Sequence, residues 1–253
     1  MKASTAGEIG WRRESGLKWL EAEMGEARVC FTTRTGGVSG KPYDSLNLGI
    51  LTGDDPEAVK ENRHRVAAAI GIDPLRVAMG RQVHGADLVF HDGGEVPPRY
   101  AQPGVPPGEA DGQLTDRPGI GLLVLVADCF PVALSGEDGI AMLHCGWRGL
   151  AEGILERAAA RVKAESAVVG PGIGPCCFEV GPEVKGAFSG LGPGISRGRM
   201  CDLPEIIRRL LAAAGVDTVT SAGICTSCEP EDFFSHRRDR GKTGRQAGIA
   251  WIP

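Results

Sequence analysis

The chain has 253 residues, of which 42% are hydrophobic and 24% are charged, a balance typical of a soluble globular protein. Its formal net charge of −4 disfavours a nucleic-acid or anionic-membrane binder, because both need a basic excess. No apolar stretch is long enough to span a membrane, and the first residues, MKASTAGEIGW, lack the apolar run of a signal peptide. We therefore expect a cytoplasmic protein whose eight cysteines are mostly reduced thiols.

Helix and strand patterns follow one another along the chain. The first helix is predicted to begin at Asp55-Pro56-Glu57, a cap followed by proline, and to end at Gly71. A second helix is predicted over residues 150–164, and a third from Asp202 to Gly215. The strand-like segments are residues 29–33, 88–91, 121–127, 132–134, 140–144, 167–169, 218–222 and 248–252. This pattern predicts an α/β or α+β fold with a mixed sheet, as one domain over residues 1–253.

Prolines are concentrated in residues 92–112. The five are Pro97, Pro98, Pro103, Pro106 and Pro107. Prolines at this density prevent both a helix and a central strand. We therefore predict an excursion on the surface, too short to separate two domains.

The clearest chemical signal lies in residues 121–149. The continuous apolar run at 121–127 is expected of a strand buried on both faces. Asp128 and Cys129 are the first polar groups after it, where the strand leaves the core.

A hairpin is predicted around the turn at residues 135–139, which has glycines and lies between two apolar runs. Counting outward from Glu137 places His144 opposite Phe130, one residue from Cys129. Neighbouring strands are about 4.8 Å apart, so a thiol and an imidazole there could share one metal or one proton.

Two chemistries fit this pair. Cys129 could be a nucleophile with His144 as its base, or both could bind a zinc ion that needs a third ligand and an open position. The histidines that could supply the third ligand are His64, His84, His91 and His236. The local pattern favours His84 only slightly, because it lies where a strand-like segment meets glycine.

Motifs along nearly the whole chain resemble one known family. They are TTRTGGVSGKPYDSLNLG (32–49), ENR (61–63), QVHGAD (82–87), ADG (110–112), ADCFPV (127–132), HCGWRG (144–149), GPGIGPCCFEVG (170–181), CTSC (225–228) and FFSHRRD with TGR (233–245). So many motifs in the same order look like the YfiH-like, laccase-domain family. Its members have been called polyphenol oxidases, peptidoglycan editing factors and purine nucleoside phosphorylases.

The resemblance implies a compact α/β domain with one metal ion, usually zinc, held by His84, Cys129 and His144, which are then also the catalytic centre. It implies phosphorolysis of purine nucleosides (adenosine, inosine and methylthioadenosine) by inorganic phosphate, with adenosine deamination as a side activity. A multicopper oxidase would need more imidazoles than the five histidines present, although one copper ion could replace the zinc. A Cys–His hydrolase and a non-catalytic binding factor in peptidoglycan editing stay open as alternatives.

Four arginines are candidates for binding the substrate. Arg34 resembles a pocket residue of the family, and Arg148, Arg237 and Arg238 are further candidates, because guanidinium groups bind phosphate in a bidentate manner. Asp87 and Asp128 adjoin the expected ligands and could orient an imidazole. We also expect a monomer, since no extended apolar patch is evident in the sequence.

Three further segments contain cysteines. Cys145 should point to the opposite sheet face from His144 and pack in the core. Cys225 and Cys228 could be half of a structural zinc site. Their plausible partners, Cys176 and Cys177, are adjacent in sequence, which is poor spacing for tetrahedral ligation, so we expect ordinary thiols there.

Overall fold

Two six-stranded sheets form the centre of the computed structural model, which describes residues 7–102 and 108–253. The first sheet has the spatial order β1 (Gly10–Glu14), β2 (Leu17–Met24), β3 (Ala27–Thr32), β14 (Gln246–Trp251), β7 (Gly121–Val126) and β4 (Val77–Ala78). The second has the order β13 (Thr218–Ser221), β10 (Ala164–Val169), β8 (Phe130–Gly136), β9 (Gly139–Cys145), β6 (Gly112–Thr115) and β5 (Leu88–His91). A short ribbon pairs β11 (Ser196–Arg197) with β12 (Met200–Cys201).

The described residues form fewer helices than strands. The helices are α1 (Pro56–Ile70), α2 (Trp147–Ala151), α3 (Ile154–Val162), α4 (Pro182–Ala187) and α5 (Leu203–Ala213), with 3-10 turns at Ile50–Thr52, Pro74–Arg76 and Ser189–Leu191. Parallel pairs (β4–β7, β5–β6 and β10–β13) occur within otherwise antiparallel sheets. The predicted fold class, α/β with mixed sheets flanked by helices, is confirmed.

The side chains of β9 show how the layers pack. Ile140 and Met142 belong to a buried cluster that includes Phe31 of the first sheet. Leu143 and Cys145 point the other way, into a cluster with residues of α3 and α5. This alternation follows from the two-residue period of a strand. Cys145 is fully buried, and its predicted packing role is confirmed.

Helix ends follow the capping signals in the sequence. Asp55 accepts a hydrogen bond from the Glu57 amide at 3.0 Å where α1 begins, and Gly71 ends the helix in the left-handed conformation. The helix predicted over residues 150–164 is present as α3, but its first residues are wrong, because the structure has two helices where one was predicted. Gly153, with φ of 84°, separates α2 from α3, because such a backbone turn cannot continue a right-handed helix.

The proline-rich stretch is only partly a surface excursion. Pro103, Pro106 and Pro107 lie outside the described residues. Before them, Tyr100 is fully buried, and its hydroxyl donates to the carbonyl of Arg63 at 2.7 Å. The stretch therefore returns to the core. Within the described residues, no helix combines the length and apolarity that a membrane crossing requires.

Candidate active site

Two of the crossings between the sheets start where the parallel strands β4 and β7 of the first sheet end. One crossing joins β4 to β5 and carries His84, and the other joins β7 to β8 and carries Cys129. β7 is buried along almost its whole length, as predicted, so its end places Cys129 at the edge of the core.

His144 is the penultimate residue of β9. It lies opposite Pro131, while Cys145 lies opposite Phe130. The predicted register, with His144 opposite Phe130, is wrong by one residue, because the tight turn pairs Gly136 with Gly139.

The structure brings His84, Cys129 and His144 together. Their ligand atoms all lie within 4.8 Å of one another. The two imidazole rings are 4.8 Å apart between centroids and meet edge to face at 73°. His144 is buried, Cys129 is half-buried and His84 is exposed, so the group is open to solvent on the His84 side.

Asp111 connects the two histidines, a role that we predicted for Asp87 or Asp128. One carboxylate oxygen accepts from His144 Nδ1 at 2.7 Å and from the His84 amide at 3.0 Å. The other accepts from the amides of Val83 and Gly85, each at 3.0 Å. These amide bonds hold His84 in a left-handed conformation with φ of 64°, which a non-glycine residue rarely adopts.

The two predicted aspartates make other contacts. Asp87 is exposed, and its backbone carbonyl accepts from the amides of Asp111 and Gly112. The Asp128 carboxylate accepts from the Thr226 hydroxyl at 2.7 Å and the Arg237 amide at 2.8 Å. Asp128 therefore fixes the segments around the site, and Asp111 orients the imidazole. The prediction of this orienting contact for Asp87 or Asp128 is wrong.

Electrostatic interactions within the group favour a negative charge on Cys129 and a positive charge on His144. Burial opposes ionisation of the Cys129 thiol, but the facing imidazoles of His144 and His84 outweigh it and lower its pKa to about 6. Burial likewise disfavours the His144 imidazolium, yet Cys129 and Asp111 raise the pKa of His144 to about 9. A thiolate is therefore readily formed at Cys129, and a thiolate is what both a metal and a nucleophilic mechanism require.

Three of the four predicted arginines are held by main-chain or carboxylate groups. Arg34 donates to the carbonyls of Asp44 and Pro230. Arg237 donates to the carbonyls of Cys177 and Glu179. Arg238 pairs with Asp239 and donates to the Thr226 and Phe233 carbonyls.

Arg148 differs from these three. It is exposed at the start of α2, and its guanidinium lies 4.4 Å from the centroid of the Trp147 ring. The neighbouring Gly149 lets α2 approach the His84 loop, because a Cβ there would stand 2.5 Å from the Gly85 carbonyl oxygen. Arg148 is thus carried on a helix that packs directly against the histidine loop.

Sequence reasoning missed two residues of the site. Asp111 lies in the ADG motif and Arg245 in the TGR motif, so both motifs were visible but neither residue was singled out. Arg245 is half-buried; burial lowers its pKa, while the negative charges of Asp128 and Cys129 act in the opposite direction.

The remaining candidate histidines lie elsewhere. His91 Nε2 contacts Gln113 Oε1 at 2.8 Å, and His64 and His236 are exposed. The structure also places Cys176, Cys177, Cys225 and Cys228 in a second group, with sulfur atoms within 4.8 Å of one another. The expectation that their spacing prevents a cluster is wrong.

A family model described as "Multi-copper polyphenol oxidoreductase laccase" matches residues 28–253. The chain belongs to this family. Among curated relatives, "Purine nucleoside phosphorylase PA4543" from Pseudomonas aeruginosa is 39% identical over 252 residues, covering 92% of this chain and 98% of that protein. "Purine nucleoside phosphorylase YfiH" from Escherichia coli is 39% identical over 237 residues, covering 88% and 93%.

Solved structures of the family share the fold. A Bacillus licheniformis hypothetical protein YfiH superposes with a TM-score of 0.85 at 29% identity, covering 96% of this chain and 99% of that one. YlmD from Geobacillus stearothermophilus superposes with a TM-score of 0.84 at 33% identity, covering 96% and 98%. The resemblance seen in the sequence motifs is thereby confirmed.

Proposed function

We propose that the protein is a zinc-dependent purine nucleoside phosphorylase that converts a purine nucleoside and inorganic phosphate to the free base and ribose 1-phosphate. The observation that carries the proposal is the convergence of His84, Cys129 and His144 in a chain whose relatives are named purine nucleoside phosphorylases. Adenosine, inosine and methylthioadenosine are the proposed substrates.

The donor set fits zinc. Two imidazoles and one thiolate are ligands that zinc accepts, and three protein ligands leave a fourth position open in catalytic sites. Zn–N and Zn–S bonds of about 2.0–2.3 Å separate tetrahedral ligand atoms by about 3.3–3.8 Å, and the observed atoms lie within 4.8 Å. Bound there, the ion would supply Lewis acidity at that open position.

Gly146 provides space beside these donors. A Cβ at this position would stand 3.0 Å from Cys129 Sγ and 3.2 Å from His84 Cδ2. The glycine that follows Cys145 therefore keeps the region between thiol and imidazole clear. His144 Nδ1 is hydrogen-bonded to the Asp111 carboxylate, so Nε2 is the nitrogen that would bind the metal.

Phosphate binding is assigned to Arg148 within the proposal. Phosphorolysis needs a phosphate oxygen held against the anomeric carbon while the base departs, and a guanidinium offers paired, permanently charged donors for that anion. Arg148 suits this role because its side chain is exposed and its guanidinium lies over the Trp147 ring. The guanidinium groups of Arg34 and Arg238 instead already donate to backbone carbonyls.

The test is phosphate-dependent base release. Wild-type protein incubated with adenosine should release adenine and ribose 1-phosphate with phosphate, and no base without it. Cys129→Ala should abolish release, whereas Cys30→Ala, which alters a buried thiol of β3 outside both cysteine-containing groups, should retain it. Full turnover in Cys129→Ala would refute a mechanism centred on this group.

A Cys–His nucleophile is the second candidate, because the contacts Asp111–His144–Cys129 form an orienter, base and thiol chain. Chelation separates the two candidates: a nucleophilic thiol would keep activity without metal and lose it on alkylation. Copper in place of zinc would appear in elemental analysis of the active protein.

Separate measurements test the deaminase activity, the oligomeric state and the cellular location. Ammonia release from adenosine tests the deaminase side activity, and light scattering tests the monomer. Activity in the cytoplasmic fraction of the native cells tests the location. Nucleoside binding without any turnover would instead support the non-catalytic binding factor.

A further inference from the structure

The second cysteine group lies after the parallel strands β10 and β13. Cys176 and Cys177 lie in a turn that follows β10, and Cys225 and Cys228 lie in a turn that follows β13. An isolated parallel bridge between Gly172 and Cys225 continues the strand pairing past both strand ends. The two turns are therefore held side by side by the sheet itself.

Each turn directs its thiols to a common point. The Cys177 amide donates to the Gly174 carbonyl at 3.0 Å, and the Cys228 amide donates to the Cys225 carbonyl at 3.1 Å. Each turn reverses the chain within four residues, and the four sulfur atoms lie within 4.8 Å of one another. The adjacency of Cys176 and Cys177 therefore does not prevent their convergence.

The sulfur geometry matches a tetrahedral metal site. Cys228 Sγ lies 3.4 Å from Cys176 Sγ and 3.5 Å from Cys177 Sγ, and all four sulfur atoms lie within 4.8 Å of one another. Zn–S bonds of about 2.3 Å place tetrahedral thiolates about 3.8 Å apart. The four thiols therefore need only small shifts to surround one ion.

One backbone amide already points at a sulfur of this group. The Gly174 amide donates to Cys225 Sγ at 3.2 Å. A hydrogen bond to a sulfur stabilises its thiolate form, which is the form that binds metal. Gly174 fits closely here, because a Cβ would lie 3.3 Å from Cys225 Cβ and 3.4 Å from Cys176 Sγ.

We propose that Cys176, Cys177, Cys225 and Cys228 bind a second zinc ion, separate from the one at His84, Cys129 and His144. Four thiolates fill a tetrahedral coordination shell, so this ion has a structural role with no open position. Binding releases the protons of the thiols and joins the two turns.

The joined turns also support the candidate active site. Thr226, between Cys225 and Cys228, donates its hydroxyl to Asp128, the neighbour of Cys129. Arg237, whose amide also donates to Asp128, reaches the Cys177 carbonyl with its guanidinium. The structural ion therefore fixes the segments that hold Asp128 in place.

Metal counting tests the proposal on protein purified under reducing conditions without added metal. Wild-type protein should contain two zinc ions per chain, and Cys129→Ala should retain one. X-ray absorption at the zinc edge of Cys129→Ala should show four sulfur neighbours at about 2.3 Å. Cys228→Ser should lose one ion from the wild-type protein, and it should lose the last ion from the Cys129→Ala background.

The controls separate loss of metal from loss of fold. Cys176→Ser and Cys228→Ser alter exposed residues, so their circular dichroism should match that of wild type, and Cys30→Ala should keep both ions. A metal-free Cys129→Ala protein, an unchanged zinc count in Cys228→Ser, or disulfides among the four cysteines in the intact mass would each overturn the proposal. The proposed enzymatic activity does not enter this count, so either proposal can fail without the other.

Discussion

Replacing Asp111 with asparagine tests the contact on which both histidines depend. Asp111 is fully buried and accepts four hydrogen bonds, two at each carboxylate oxygen. An asparagine amide turns one of those oxygens into a donor. In one orientation its N–H₂ faces the amides of Val83 and Gly85, and both lose their acceptor. In the other it faces the His84 amide, which loses its acceptor, and His144 Nδ1, which keeps a hydrogen bond only as an acceptor in the tautomer with the proton on Nε2.

The structure sets the size of this effect. Hydrogen bonds to a charged group contribute about 1.5–3 kcal/mol each, so losing one or two should lower the free energy of unfolding by about 1.5–6 kcal/mol. In a chain of this size that corresponds to a fall in melting temperature of about 3–24 °C. Proteins have about 5–15 kcal/mol of stability, so over most of this range Asp111→Asn should still fold at low temperature. Loss of an orienting contact should weaken metal affinity by about 10- to 100-fold.

Two measurements on two variants check this prediction. Melting temperature is followed by circular dichroism on metal-free protein, and zinc affinity is followed by competition with a chelator. Asp87→Asn is the matched control, since it makes the same chemical change on an exposed carboxylate close in sequence to His84. If Asp111→Asn melted and bound zinc like wild type while Asp87→Asn lost affinity, the orienting role of Asp111 would be refuted.

Two other substitutions test the helix beside the site. Gly149→Ala should lower the free energy of unfolding by about 1–3 kcal/mol, because its Cβ would press on the Gly85 carbonyl. Gly186 has open space around it, so Gly186→Ala should be neutral or stabilising. Chemical denaturation measures both. Arg148→Ala should raise the KM for phosphate at least tenfold. Arg157 is an exposed arginine of α3, and Arg157→Ala should leave this KM unchanged. Equal phosphate kinetics in both variants would show that Arg148 does not bind phosphate.

Periodicity predicted the elements that carry a clear pattern. The strand at Leu88–His91 was predicted residue for residue, and the cap at Asp55 marked the start of α1. The third helix was predicted to start at Asp202, and α5 begins directly after it. β1 escaped notice because all five of its residues are exposed and no apolar alternation appears. β6 is fully buried, yet its sequence, Gly-Gln-Leu-Thr, has no apolar run.

The candidate site was only partly visible in the sequence. The local argument brought Cys129 and His144 together despite a register error, because Cys129 lies just before β8 and outside its paired residues. His84 came from the family resemblance, since the loop that holds it depends on Asp111, a contact between distant residues. The four-cysteine group was rejected because spacing rules assume that each pair lies on its own regular turn. The parallel bridge at Gly172 and Cys225 aligns the two turns in a way that no local pattern records.

His84 and Cys129 lie on segments that connect the two sheets. The site therefore depends on the two sheets staying packed against each other. A ligand set whose members are supplied by both layers exists only while the layers are docked. Zinc at this position should therefore slow amide exchange on β7 and β9 alike, although the ion would touch only the ends of those strands. Retention of the ion would then report whether the two layers remain assembled, even when secondary structure within each layer persists.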